Sequence, residues 1–169
     1  MLPEKSLRSA SACDFVARRE FEMAVKKIAE GKPPREVDGI SWKDGDRVVH
    51  NIDADVLTDL DSLPFVIDVY KRDLTIENYF IGYLLHPYLS LYTGRGCSGR
   101  CTFCLWPQTM SGHKYRVRGP ESVYEELARA RDMFPQVKEF FLDDDTFTAD
   151  TARAEQIARR LGSLGITWS

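Results

Sequence analysis

The later part of the chain switches between two hydrophobic periods. Tyr88-Leu89-Ser90-Leu91-Tyr92 places its apolar side chains for a strand. Val123, Leu127, Ala130 and Met133 then recur at three- and four-residue intervals, which is one face of a helix. Pro120 stands at its first position, where a missing N–H is harmless, and Pro135 ends it. Val137 to Leu142 has strand length and closes on Asp143-Asp144-Asp145. A second helical stripe follows at Ala154, Ile157, Ala158 and Leu161, with Thr148 placed to cap it and Gly162 and Gly165 to stop it. Ile166-Thr167-Trp168 starts a further strand. The order strand, loop, helix, strand, helix, strand predicts an α/β fold with a parallel sheet and right-handed crossovers.

The earlier part is patterned differently. Cys13 to Ala17 reads as a short strand, and Arg19 to Ala29 as a helix with Phe21, Ala24, Val25 and Ile28 on one face. Ile40 to Trp42 and Arg47 to His50 form a predicted hairpin across Lys43-Asp44-Gly45-Asp46, because Asp-Gly suits a tight turn. No element is predicted before Cys13, so this opening unit reads as the tail end of a larger α/β domain. From Asn51 to Asn78, Leu57, Leu60 and Leu63 are interleaved with Asp53, Asp55, Asp59 and Asp61, the texture of a linker with one packed side. No internal repeat interrupts this order.

Bulk properties narrow the partners. The chain of 169 residues has room for one domain or for parts of two. A net charge of -3 argues against nucleic acid as the main partner. No apolar run approaches the roughly 20 residues of a membrane span. Met1 to Asp14 lacks the apolar core of a signal peptide, so a cytoplasmic, reducing location is the default expectation.

The chemistry concentrates in Cys97, Cys101 and Cys104, a C-x3-C-x2-C spacing. Clustered cysteines in a reducing compartment serve metals more often than disulfides. Cys13 lies far from them and reads as a small buried hydrophobe. Zinc would require a fourth ligand, for which His113 is the nearby candidate. A 4Fe–4S cluster held by three cysteines would keep one iron open, and a loop between a parallel strand and its helix favours that reading over zinc. A purely electron-transferring iron–sulfur protein normally brings a fourth cysteine, which this loop lacks. The cysteine loop and Asp143 to Asp145 both follow predicted parallel strands and are expected on one rim of the sheet. The bland alternative for the three aspartates is a solvated turn before a helix. Arg95, Arg100, Lys114, Arg116 and Arg118 surround the cysteines in sequence and read first as a solvated face; Trp106 reads as loop packing.

The cysteine spacing, with Phe103 before its last member, resembles the signature of radical S-adenosylmethionine enzymes. Asp44 to Asn51 and Leu60 to Phe65 resemble the junction between a cobalamin-binding domain and a radical domain, and Phe141 to Phe147 resembles the second strand end of that branch. Cys104-Leu105-Trp106-Pro107-Gln108 and Gly119-Pro120-Glu121-Ser122 are most similar to hopanoid-biosynthesis members. The resemblance covers nearly the whole chain, as a middle slice of the family's length. It implies that residues 88–169 are the N-terminal part of a partial parallel (β/α) radical barrel, about two and a half βα units. Residues 51–87 would be a linker, and 1–50 the C-terminal remnant of an α/β cobalamin-binding-type domain.

The same resemblance implies a function. Cys97, Cys101 and Cys104 would hold a 4Fe–4S cluster that cleaves S-adenosylmethionine reductively to a 5′-deoxyadenosyl radical, in hopanoid side-chain biosynthesis. Phe103 would lie near the adenine. Asp144, Asp145 and Thr146 would stand where the family often binds the methionine amino group through Gly-Gly-Glu. The partners implied are a small-molecule or lipid-derived substrate and a reductant such as flavodoxin or ferredoxin. The family's cobalamin-contacting histidine motif is absent and the barrel is short. The expectation is therefore a fragment that ligates a cluster weakly and does not turn over alone.

Overall fold

Gly45 and Asp46 turn the chain back on itself within the predicted Lys43–Asp46 connection, with Gly45 at a φ of 59°. The structure, a computed structural model, describes residues 2–169 and divides into two units. One is the chain up to Leu57 together with Ser98–His113; the other is Thr58–Cys97 with Lys114–Ser169.

In the first unit β2 (Ile40–Asp44) pairs antiparallel with β3 (Arg47–His50), and β1 (Phe15–Ala17) lies on the other side of β2. Helix α1 (Pro3–Ser9) was not predicted. Its one buried side chain, Leu7, cannot by itself create a period, yet it is 0% exposed and the helix packs on β1 and β2. Helix α2 (Glu22–Ala29) begins later than the pattern predicts, because Arg19 takes a φ of 61° that no right-handed helix accepts. Ala24, Val37 and Ile40 form its small core. Cys13 is only half-buried, and its thiol donates to Phe15 O at 3.4 Å.

The second unit is the predicted α/β layer. β4 (Tyr88–Leu91) and β7 (Glu139–Leu142) pair in parallel, with Leu89 beside Phe140 and Leu91 beside Leu142. Because side chains alternate along a strand, these four share the face covered by α4 (Pro120–Met133) and α5 (Thr151–Leu161). Val123, Leu127 and Ala130 from α4 and Ile157 and Leu161 from α5 complete that core. Trp168 bridges Phe140 in parallel, so the predicted further strand begins on the far side of β7.

Three local expectations change. Residues 51–87, read as a linker, contain α3 (Val66–Asp73), whose Ile67 is 0% exposed in the core. Eight residues are barely two turns, and Asp68, Lys71, Arg72 and Asp73 on its open side dilute the apolar period. Asp150, not Thr148, caps α5: its carboxylate accepts from Arg153 N at 3.0 Å, while Thr148 sits in a preceding 3₁₀ turn. Finally, β5 (Gly94–Arg95) and β6 (Arg116–Val117) form an antiparallel clip too short to leave a period in the sequence. Among the described residues, no helix is long and apolar enough to cross a membrane.

Candidate metal-binding loop and its support

The stem of the cysteine loop is built by β5 and β6. Gly94 pairs with Val117 and Arg95 with Arg116, and Arg118 N donates to Thr93 O at 2.9 Å. Gly96 then takes a φ of 88°, a turn only glycine makes freely, immediately before Cys97. Cys97 closes its run of the second unit, whereas Cys101 and Cys104 belong to the first. Cys97 and Cys104 are half-buried, Cys101 is exposed, and none is in a disulfide. Cys104 N donates to Cys101 O at 3.2 Å, and Pro107–Ser111 makes a single π-helical turn. His113 Nδ1 lies 3.2 Å from Gly99 O. Phe103 is 90% exposed, and Trp106 at 59% is exposed rather than packed as expected.

The donor set suits a soft metal: three unbridged thiols within eight residues of sequence. Among the described residues, no group of three or more His, Cys, Asp or Glu stands ready to hold a metal ion.

The three aspartates after β7 divide in role. Asp143 and Asp145 are exposed, whereas Asp144 is half-buried. Asp144 Oδ1 accepts from Thr93 N at 2.6 Å and Gly94 N at 2.9 Å. Its Oδ2 accepts from Thr93 Oγ1 at 2.6 Å and Tyr115 OH at 3.2 Å. The neighbouring Thr146 Oγ1 is buried without a hydrogen-bond partner, so it retains capacity for a ligand's polar group.

Burial, and next the Asp144 carboxylate, push the Tyr115 hydroxyl up from 10.0 to about 12. Its folded-state value exceeds its unfolded one. The associated stability is therefore whole below pH 10.0 and is lost as pH rises toward about 12. Tyr115→Phe is expected to flatten that alkaline fall in thermal midpoint, followed by circular dichroism. An alkaline limb identical to that of the parent chain would contradict the assignment.

The basic surround is only partly the solvated face the sequence suggests: Arg100 and Lys114 are exposed, but the others are not. Arg116 is 4% exposed, and the Arg118 side chain, 12% exposed, is paired with Glu126. Arg153 is the buried charge the pattern missed. It is 5% exposed and donates to Thr93 O at 2.6 Å, Arg118 O at 2.9 Å and Tyr115 OH at 3.3 Å. Its spacing of i, i+4, i+8 with Ile157 and Leu161 was the available signal, since it puts all three on one helix face.

Comparison with known proteins agrees with the fold. No family model matches the chain. An uncharacterized methyltransferase of Pyrococcus horikoshii is 29% identical over 99% of this chain and 36% of its own length. The cytidylyl-2-hydroxyethylphosphonate methyltransferase of Streptomyces wedmorensis is 33% identical over 66% of this chain and 21% of its own. The chain thus spans little more than a third of the first relative and about a fifth of the second. Among solved structures, the cobalamin-dependent S-adenosylmethionine radical enzyme OxsB superimposes with a TM-score of 0.70. The match has 21% identity and covers 98% of this chain and 24% of OxsB. The radical S-adenosylmethionine methyltransferase TsrM from Kitasatospora setae gives 0.59 at 18% identity, over 88% of this chain and 29% of TsrM. The chain is therefore similar in sequence to methyltransferases and shares the α/β fold of the corresponding part of cobalamin-associated radical enzymes.

Proposed function

We propose that the chain forms part of a radical S-adenosylmethionine enzyme of the cobalamin-associated branch, with Cys97, Cys101 and Cys104 as ligands of a 4Fe–4S cluster. The observation that carries this reading is the three unbridged thiols on a loop clipped by β5 and β6 at the carboxyl end of a parallel strand. When bound, such a cluster supplies the electron that cleaves S-adenosylmethionine to a 5′-deoxyadenosyl radical.

The chain's own residues bind and orient. Thr146 Oγ1, buried and unpartnered, and the exposed Asp145 carboxylate are the groups left free to accept or donate to the cofactor's amino acid end. Phe103, exposed in this state, offers a ring for an adenine to stack on. Reduced thiols suit a cytoplasmic setting, and the electron would come from a protein reductant such as flavodoxin or ferredoxin.

The motif segments at Leu105 to Gln108 and Gly119 to Ser122 favour a hopanoid or similar polycyclic lipid side chain as substrate. The methyltransferase relatives favour a second outcome on the same chemistry, transfer of a methyl group to a small molecule, for which the full protein would use cobalamin as OxsB does.

Anaerobic reconstitution with iron and sulfide, followed by metal analysis and electron paramagnetic resonance, tests the proposal. The expected result is about four irons per chain and a reduced-cluster spectrum that changes when S-adenosylmethionine is added. A colourless protein holding one zinc and no labile sulfide would overturn it in favour of a Cys3His site with His113. A cluster spectrum indifferent to S-adenosylmethionine would instead point to simple electron transfer.

A further inference from the structure

Both stems of the cysteine loop converge on one carboxylate. Thr93 and Gly94, three to four residues before Cys97, donate their backbone N–H groups to Asp144 Oδ1. The Thr93 hydroxyl and, from the far stem, the Tyr115 hydroxyl donate to Asp144 Oδ2. A carboxylate offers about four lone-pair positions, so these donors use its capacity. Arg153 closes the arrangement from α5 by bonding Thr93 O on one stem and Arg118 O on the other.

Gly94 belongs to the same construction. A Cβ at that position would lie 2.7 Å from Tyr115 Cε2, closer than atoms tolerate. The tyrosine ring can cross the stem only because residue 94 has no side chain.

We propose that Asp144 is a positioning residue of the cysteine loop, holding the Thr93–Gly94 stem so that Cys97 is presented in a fixed place, and that it is not itself a cofactor contact. This rests on the reading of Cys97 as a cluster ligand. It assigns the cofactor-facing role at this strand end to Asp145 and Thr146, whose polar atoms the stem does not use.

The full chain tests this first without any cluster. Iodoacetamide alkylation of the apo-protein, read residue by residue by mass spectrometry, reports how often each thiol is presented to solvent. Asp144→Ala is expected to raise the labelling rate of Cys97 about tenfold, the effect of losing one to two net hydrogen bonds. Cys13, which belongs to the first unit and makes no bond to Asp144, should change less than about twofold. Asp144→Asn retains an acceptor for the two backbone N–H groups and should fall between Asp144→Ala and the parent, which keeps the test usable if the alanine variant folds poorly.

The second readout is iron release from the reconstituted chain to a chelator. It should be about tenfold faster in Asp144→Ala and unchanged in Asp143→Asn, an exposed neighbour. Equal acceleration at Cys97 and Cys13 would mean global loosening and would overturn the proposal. So would a Cys97 rate unmoved by either substitution. If Cys97 labelling rises as expected but the parent chain takes up no iron, the cluster reading falls while the stem assignment stands. If iron binds normally and Asp144→Ala changes neither rate, the positioning role falls alone.

Discussion

Cys101→Ala is expected to lower the iron retained after anaerobic reconstitution from about four per chain to below about one. A cluster on three thiolates has no spare protein ligand, so losing one leaves two irons without a protein anchor. Cys101 is the informative choice because it is exposed and fills no core position. Its replacement should leave the fold within about 0.5 kcal/mol of the parent, as surface changes usually do. Cys13→Ala is the matched control: that thiol is half-buried and bonded to Phe15 O, yet it lies outside the loop and should leave the iron content unchanged. Iron and sulfide analysis with the visible absorbance of the cluster gives the readout. A Cys101→Ala protein that binds as much iron as the parent would remove the three-cysteine centre from consideration. His113→Ala completes the comparison, since it should weaken metal retention only if the metal is zinc.

The second large effect belongs to stability. Glu126 is 1% exposed on the buried stripe of α4. Its Oε1 accepts from Val66 N at 2.8 Å, which satisfies the first turn of α3, where the N-cap side chain makes no bond. Its Oε2 pairs with Arg118, whose side chain is 12% exposed. Glu126→Ala therefore removes the nearer carboxylate of a guanidinium with little access to water, leaving it Asp61 at 3.8 Å and Ser122, and leaves a helix terminus uncapped. Removing one partner of a buried pair destabilises by roughly 3–5 kcal/mol. The thermal midpoint should fall by on the order of 10 °C. Glu126→Gln should lose less, because its amide oxygen can still accept from Val66 N. A double-mutant cycle with Arg118→Ala separates the pair from the cap, since only the pair gives a coupling energy between the two sites. A midpoint within about 2 °C of the parent for Glu126→Ala would show that water reaches Arg118 and replaces the carboxylate.

The two buried charges in α4 and α5 explain where sequence reading stopped. Val123, Leu127 and Ala130 announce a helix face, and Glu126 lies on that same stripe. In a sequence, its charge reads as a helix-start signal. Only the second unit's fold brings Val66 N and Arg118 to it, from 60 and 8 residues away. Arg153 is the same case: its position on the Ile157–Leu161 face was legible, but its acceptors come from Thr93 and Arg118. Burial of a charge depends on partners supplied by other elements, and a one-dimensional pattern contains no partners.

What the sequence by itself determined is the alternation of strand and helix after Tyr88, the Asp-Gly hairpin and the three-thiol spacing. Each is a local property: a period, a turn preference, or ligands within one loop. Tertiary structure alone decided that residues 66–73 are a helix in the core, that β5 and β6 clip the cysteine loop, and that Asp144 is tied to Thr93, Gly94 and Tyr115. Those outcomes join residues from 21 to 60 positions apart in sequence. Such pairings become favourable only after the parallel sheet has closed the intervening chain, so no window of neighbouring residues carries them.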